Sequence, residues 1–224
     1  MKRISDLVLH KDHHIIVINK PSGLPSQQDQ SGQKNAHQLL MAYAHRDLYP
    51  VHRLDQRVSG VLLFTRTKEA AAFLSKIWNE EATSKIYYGI VPVSDAPESG
   101  TITHYLTYQP KVNIAHAHNE MQPGADKATL SYRIIQKLDN FMVAEIRLHT
   151  GRRHQIRAQF AAMDMPIRGD IKYGSKRTNE DGSIDLHAYS LKTIHPSTKQ
   201  PIEFIAPFPD TGLWKHVILP ETQT

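Results

Sequence analysis

The chain has 224 residues, 40% hydrophobic and 22% charged, with 11 Gly, 13 Pro and no Cys. That composition excludes collagenous and wholly disordered classes, and the missing thiols exclude disulfides, cysteine nucleophiles and cysteine-ligated zinc, which predicts a reducing, cytoplasmic setting. The net charge of +5 is modest, but Gly151–Arg177 carries seven Lys and Arg against Asp164 and Asp170, an excess that suits either a polyanion or a solvated face.

Charges interrupt every apolar stretch of MKRISDLVLHKDHHIIVINK, so no signal sequence and no membrane span is expected there. The run Ile15–Ile18 predicts a strand, and Pro21–Asn35 a loop rich in turn residues. Asn35 is placed to cap a helix whose stripe is Ala36, Leu39, Leu40, Tyr43 and Ala44. Val61–Phe64 predicts a strand. After Thr67, Ala70, Phe73, Leu74, Ile77 and Trp78 recur at helical spacing and predict an amphipathic helix with those residues in the core. Lys85–Val93 is a further strand candidate, and Tyr108–Lys127 reads as a loop that could mark a subdomain junction.

Strands follow at Thr129–Gln136 and where Met142, Ala144, Ile146 and Leu148 alternate with more polar neighbours. A helix from about Arg152 to Met163 would put Ile156, Phe160 and Met163 on one side and present Arg153 and Arg157 as paired guanidinium groups on another. Ser175–Asp185 reads as a loop between that region and the strands Leu186–Ile194 and Ile202–Ala206. The elements do not alternate as βαβ units, so the expected class is α+β with a mainly antiparallel sheet.

Two clusters could carry chemistry. In YPVHRLDQRVSG (Tyr49–Gly60), Asp55 stands between Arg53 and Arg57 just before an apolar strand. Guanidinium neighbours favour the ionised carboxylate, suited to act as nucleophile or base, although the same pattern fits a loop-end ion pair. In HTGRRHQIRAQ (His149–Gln159), Arg157 could pair with a carboxylate or a phosphate, or simply decorate a surface helix. The 14 His include His13-His14 and His116-Ala-His118, but no third ligand follows at metal-site spacing and HExxH is absent, so no metal is expected.

Together, HRLD followed by SG and GR-x-HQIR about a hundred residues later resemble RluA-type RNA pseudouridine synthases. The resemblance extends through HIIVINKPSGLP (His14–Pro25), KIYYG (Lys85–Gly89), KAT (Lys127–Thr129), GDIKYG (Gly169–Gly174) and LHAYSLKTIHPSTKQPIEF (Leu186–Phe204). It implies one catalytic domain over 1–224, a sheet in two subdomains flanked by helices with a central cleft, and isomerisation of uridine to pseudouridine in structured ribosomal or transfer RNA. It further implies Asp55 as the catalytic aspartate, Tyr87 against the uracil ring, Arg157 paired with Asp55, and Arg53 displacing the target base. His52, Arg152, Arg153 and Lys172 are candidates for binding the RNA, with Lys176 and Arg177 as further phosphate contacts.

The reaction is neither an oxidation nor a hydrolysis, so no cofactor is implied. No obligatory protein partner is evident, and about ten residues before the first motif strand leave no place for an S4-like domain. Val58, Arg153 and Ala158-Gln159 depart from the family's usual residues, and Arg153 would alter how the RNA backbone is held. The alternative is a non-catalytic RNA-binding protein of the same fold.

Overall fold

The computed structural model describes residues 3–28 and 32–220. In chain order the elements are β1 (Val8–Lys11), β2 (Ile15–Lys20), α1 (Ala36–Ala44), β3 (Tyr49–Pro50), β4 (Ser59–Thr65), α2 (Lys68–Ile77) and β5 (Ser84–Pro92). They continue with β6 (Ser99–Gln109), β7 (Ile114–His118), β8 (Asp126–Lys137), β9 (Phe141–Leu148), α3 (Gln155–Ala161), β10 (Leu186–Ile194) and β11 (Pro201–Ile205). The class is α+β, as the sequence predicts. The chain forms two compact units, passing from the first to the second after Lys85, returning after Leu186 and leaving the first again after Pro209.

In the first unit the strands run β1-β2-β4-β10, with β3 also on β4 and β11 on β10. Every residue of β4 is buried, which is why its sequence is a continuous apolar run rather than an alternating one. Ile15, Val17, Val61, Leu63, Leu74, Ile77, Leu191 and Phe204 form the core beneath α2. Asn35 accepts a hydrogen bond from the Gln38 N–H at the start of α1, and Thr67 accepts one from Ala70 N–H at the start of α2, so both expected caps are in place. The β4–β10 pairing is parallel, with Ser59 opposite His187 and Gly60 opposite Ala188. Gly60 has φ +115, and a Cβ there would lie 2.1 Å from the Ala188 carbonyl oxygen; only glycine allows so close an approach.

In the second unit the order is β5-β9-β8-β6-β7, all antiparallel. Two expectations are corrected here. Tyr108–Lys127 is not one loop: β6 runs into it as far as Gln109, β7 fills Ile114–His118, and β8 begins at Asp126. Polar residues on an edge hairpin hide a strand from composition, because only Leu106 and Ala115 of the β6–β7 pair's outer portion are fully buried. The third helix is also shorter than expected. His154 takes the left-handed conformation at φ 53, so Arg152 and Arg153 lie in the turn before α3, and Asp164 at φ 57 closes the turn after it. Residues 29–31 of the Pro21–Asn35 loop lie outside the described residues, while Ser175–Asp185 is a loop. No helix among the described residues is long and apolar enough to cross a membrane.

Candidate functional site

In the first unit, the residues after β2 grip the residues before β4. Lys20, opposite Gly60 in the β2–β4 register, is fully buried. Its ammonium donates to the carbonyls of Pro21 (2.9 Å), Leu24 (2.8 Å) and Gln56 (3.2 Å). The Ser26 hydroxyl donates to Leu54 O at 2.7 Å and accepts from Leu54 N–H at 3.0 Å. Ser22 Oγ donates to Arg57 O, and Gly23 N–H to Gln56 O. The backbone on both sides of Asp55 is therefore held by a scaffold of high sequence separation, while the Asp55 carbonyl accepts from Val58 N–H in a tight turn.

Asp55 itself is half-buried, and Arg53 and Arg57 beside it are exposed. The sequence points to those arginines as its cationic neighbours, and the structure adds a buried cation, Lys20. Burial pulls the Lys20 ammonium down to about 7, against the opposing pull of the Asp55 carboxylate, and the same interaction favours Asp55 as an anion. The lysine of NKPSG carries this signal in sequence, since a Lys inside a run of buried β residues must find acceptors.

His52 has a different place from the one expected of an RNA contact. Its Nε2 accepts the Leu63 N–H at 2.9 Å, and its ring stacks on Trp78 with centroids 4.5 Å apart. Burial, with the charge of Lys85 adding to it, pushes the imidazole down to about 3. A neutral ring committed to the backbone is a strut for the motif, not a cation for phosphate. Lys85 donates to Trp78 O at 2.9 Å, and burial lowers it to about 8.

In the second unit, Tyr87 lies half-buried on β5 opposite Ile146. Its neighbour Tyr88 points to the other face, is buried, and donates from its hydroxyl to Glu145 at 2.8 Å, the core aromatic the alternation suggests. Arg157 lies in α3 and is 6% exposed. It does not form an exposed guanidinium pair with Arg153. Its Nε donates to Asp170 at 2.6 Å and its Nη2 to the other carboxylate oxygen at 3.0 Å, a bidentate fork that fixes the guanidinium plane. The Tyr173 ring lies 4.7 Å from the guanidinium carbon.

Asp170 is fully buried and is the residue that sequence reasoning missed; GDIKYG signals it, because a carboxylate between Ile167 and Ile171 has to be paired. Gly169 before it has φ +86, and a Cβ there would meet Ser183 O at 2.7 Å, so the sharp turn into Asp170 requires glycine.

The remaining basic candidates are exposed but engaged. Arg152 reaches Lys127 O and lies 3.5 Å from Asp126. Arg153 donates to Asn113 at 3.0 Å and covers the Tyr108 ring at 4.3 Å. Lys172 reaches the carbonyls of Val112 at 3.2 Å and Asn113 at 3.5 Å. Lys176 and Arg177 are exposed in the following loop. The structure thus groups Lys20, His52, Arg53 and Asp55 in one unit, and Tyr87, Arg152, Arg153, Arg157 and Lys172 in the other.

Comparison with known proteins places the chain in a family. The RNA pseudouridylate synthase family model matches residues 14–162, more than half the chain. An uncharacterized RNA pseudouridine synthase of Synechocystis sp. is 32% identical over 97% of this chain and 76% of its own length. Ribosomal large subunit pseudouridine synthase D of Xylella fastidiosa is 31% identical over 91% of this chain and 66% of its own. The tRNA pseudouridine synthase C of Vibrio parahaemolyticus is 26% identical, covering 91% of each chain. Among solved structures, human RNA pseudouridylate synthase domain containing 4 has a TM-score of 0.73 at 21% identity, covering 92% of this chain and 90% of that one, a likeness of fold. The chain belongs to the RNA pseudouridylate synthase family, and its class of activity is isomerisation.

Proposed function

We propose that this protein converts uridine to pseudouridine in structured RNA, ribosomal or transfer, with Asp55 as the catalytic carboxylate. The reaction breaks the bond from C1′ to N1 of uracil, turns the detached base while it stays bound, and joins C5 to C1′ with loss of the C5 proton. It needs a carboxylate at the sugar and a site that excludes water. The observation that carries the reading is the grip on Asp55: backbone bonds hold its loop on both sides and a buried lysine supplies positive potential. A flexible surface ion pair would not be built this way.

A stacked uridine has to leave its helix to meet such a carboxylate. Exposed Arg53, two residues from Asp55, is the side chain we assign to take the vacated place. Tyr87 offers an aromatic face and a hydroxyl for the uracil ring and its C5 proton. Arg157, with its plane held by Asp170, is assigned to the same reaction as a donor to anionic oxygen. The substrate class follows from relatives named for ribosomal large subunit RNA and for tRNA.

The test is tritium release from [5-³H]uridine-labelled ribosomal and transfer RNA transcripts offered separately. Joining C5 to the sugar must expel the label. Release by the wild type and none by Asp55→Asn, with RNA binding retained, is the expected result; normal release by the variant would overturn the role of Asp55.

A further inference from the structure

The Arg157 guanidinium is tied to a second structure that the reaction chemistry does not require, the β6–β7 hairpin. Tyr173 makes the connection. Its ring lies over the guanidinium, and its hydroxyl, 2.8 Å away, accepts the N–H of Ala115 in β7. The same hydroxyl shares a 2.8 Å hydrogen bond with His154 Nδ1. β7 is the edge strand of its sheet, where an outward N–H ordinarily meets water; here it is buried against a tyrosine. Leu106, Ala115, Ala128, Ala158 and Tyr173 pack as one cluster, so hairpin, helix and tyrosine share a core.

The turn of the hairpin, two residues before Ala115, is fastened by cations. Asn113 at the turn accepts from Arg153 Nη2 and from the Tyr108 hydroxyl, while Lys172 reaches the Val112 and Asn113 carbonyls. Arg153 and His154 directly precede α3, and Lys172 directly precedes Tyr173. Pulling on the turn therefore pulls on both segments that set Arg157. His154 holds its left-handed φ of 53 with its ring between Tyr108 and Tyr173, a non-glycine strain that packing must sustain.

We infer that Tyr173 is a positioning residue that couples the seating of the β6–β7 hairpin to the orientation of the Arg157 guanidinium. An anionic strand that draws Arg153 or Lys172 away from the turn would then change how Arg157 is held. The functional consequence rests on the role proposed above for Arg157; the coupling itself does not.

Coupling is a measurable quantity, and a double-mutant cycle isolates it. In ¹⁵N-labelled protein the Arg157 Nε–Hε resonance is assigned by its loss in Arg157→Lys. Asn113→Ala, which releases the turn, is expected to shift that resonance and speed its hydrogen exchange by about threefold to tenfold. In a Tyr173→Leu background the same substitution should have no further effect. In tritium release from the same transcripts, Asn113→Ala and Tyr173→Phe should each lower kcat about threefold to tenfold with KM little changed, again without addition in Tyr173→Leu.

Tyr173→Phe keeps the ring on Arg157 and loses only the hydroxyl, so it guards against a Tyr173→Leu variant that fails to fold. An Arg157 resonance insensitive to Asn113→Ala, or effects that simply multiply in the double variant, would overturn the coupling. A wild type that releases no tritium would count against the proposed function alone, because the resonance arm still decides the coupling.

Discussion

The two units bury a cation in opposite ways. Lys20 is surrounded by three neutral carbonyls, whereas Arg157 is locked onto a fully buried carboxylate. Neutral acceptors satisfy the donors of an ammonium without cancelling its charge, so Lys20 still projects a positive potential onto Asp55 and is itself easily deprotonated. A carboxylate fork cancels the charge locally and fixes direction instead. Lys20 thus supplies field within its unit, and the Arg157–Asp170 fork supplies geometry within the other.

The difference can be broken most severely at the carboxylate that feels the field. Asp55→Asn should reduce tritium release by on the order of 10³-fold or more, with RNA binding in a filter assay retained. Next comes the fork: Arg157→Ala leaves Asp170 buried without its partner and should cost about 3–5 kcal/mol in urea unfolding as well as turnover. Arg157→Lys should recover part of the stability and little of the turnover, because an ammonium cannot reproduce the bidentate plane.

Lys20→Met sharpens the other side. The folded ammonium loses its proton near 7, while in the unfolded chain it does so near 10.5. The unfolded state therefore binds more protons in that window, and wild-type stability rises as pH rises from about 7 towards 10.5. Lys20→Met should remove that rise in unfolding curves taken across the window. In tritium release, kcat of the wild type is expected to fall as pH rises through about 7, and that fall should be absent from Lys20→Met.

His52 and His187 give an effect of the same sign on the acid side. Both are held neutral by burial, at about 3 and about 4 against an ordinary 6.5. Stability is thus fully present above 6.5 and lost as pH falls through that range. His52→Gln, which can still accept the Leu63 N–H, should flatten the dependence of Tm on pH between 6.5 and 4. The smallest effect belongs to the exposed cations. Lys172→Ala should weaken binding to any RNA sequence alike and reduce the salt slope by about 1, and an unchanged slope would leave Lys172 as a fastener of the hairpin only.

Much of this was readable in the chain itself. The buried runs of β2 and β4, the caps at Asn35 and Thr67, and the α2 stripe are local patterns whose period and punctuation suffice. The motif set around Asp55, Tyr87 and Arg157 identified the family because its order and spacing agree over most of the sequence. Strand β7 was not legible, since an edge hairpin with polar faces carries neither apolar period nor length. The start of α3 was not legible either, because His154 takes a left-handed conformation that its residue type does not announce.

What the sequence by itself determined, then, is the class of fold, the family and the residues its motifs single out, all of which depend on neighbours along the chain. Only the tertiary structure decided which groups hold those residues. Lys20 meets Gln56 across 36 positions and Tyr173 meets Ala115 across 58. Arg157 chose Asp170, 13 residues on, over the guanidinium pair its helix suggested. The reason is physical: a buried charge is stable only with acceptors in place on every side, and which acceptors arrive is a property of the packed chain.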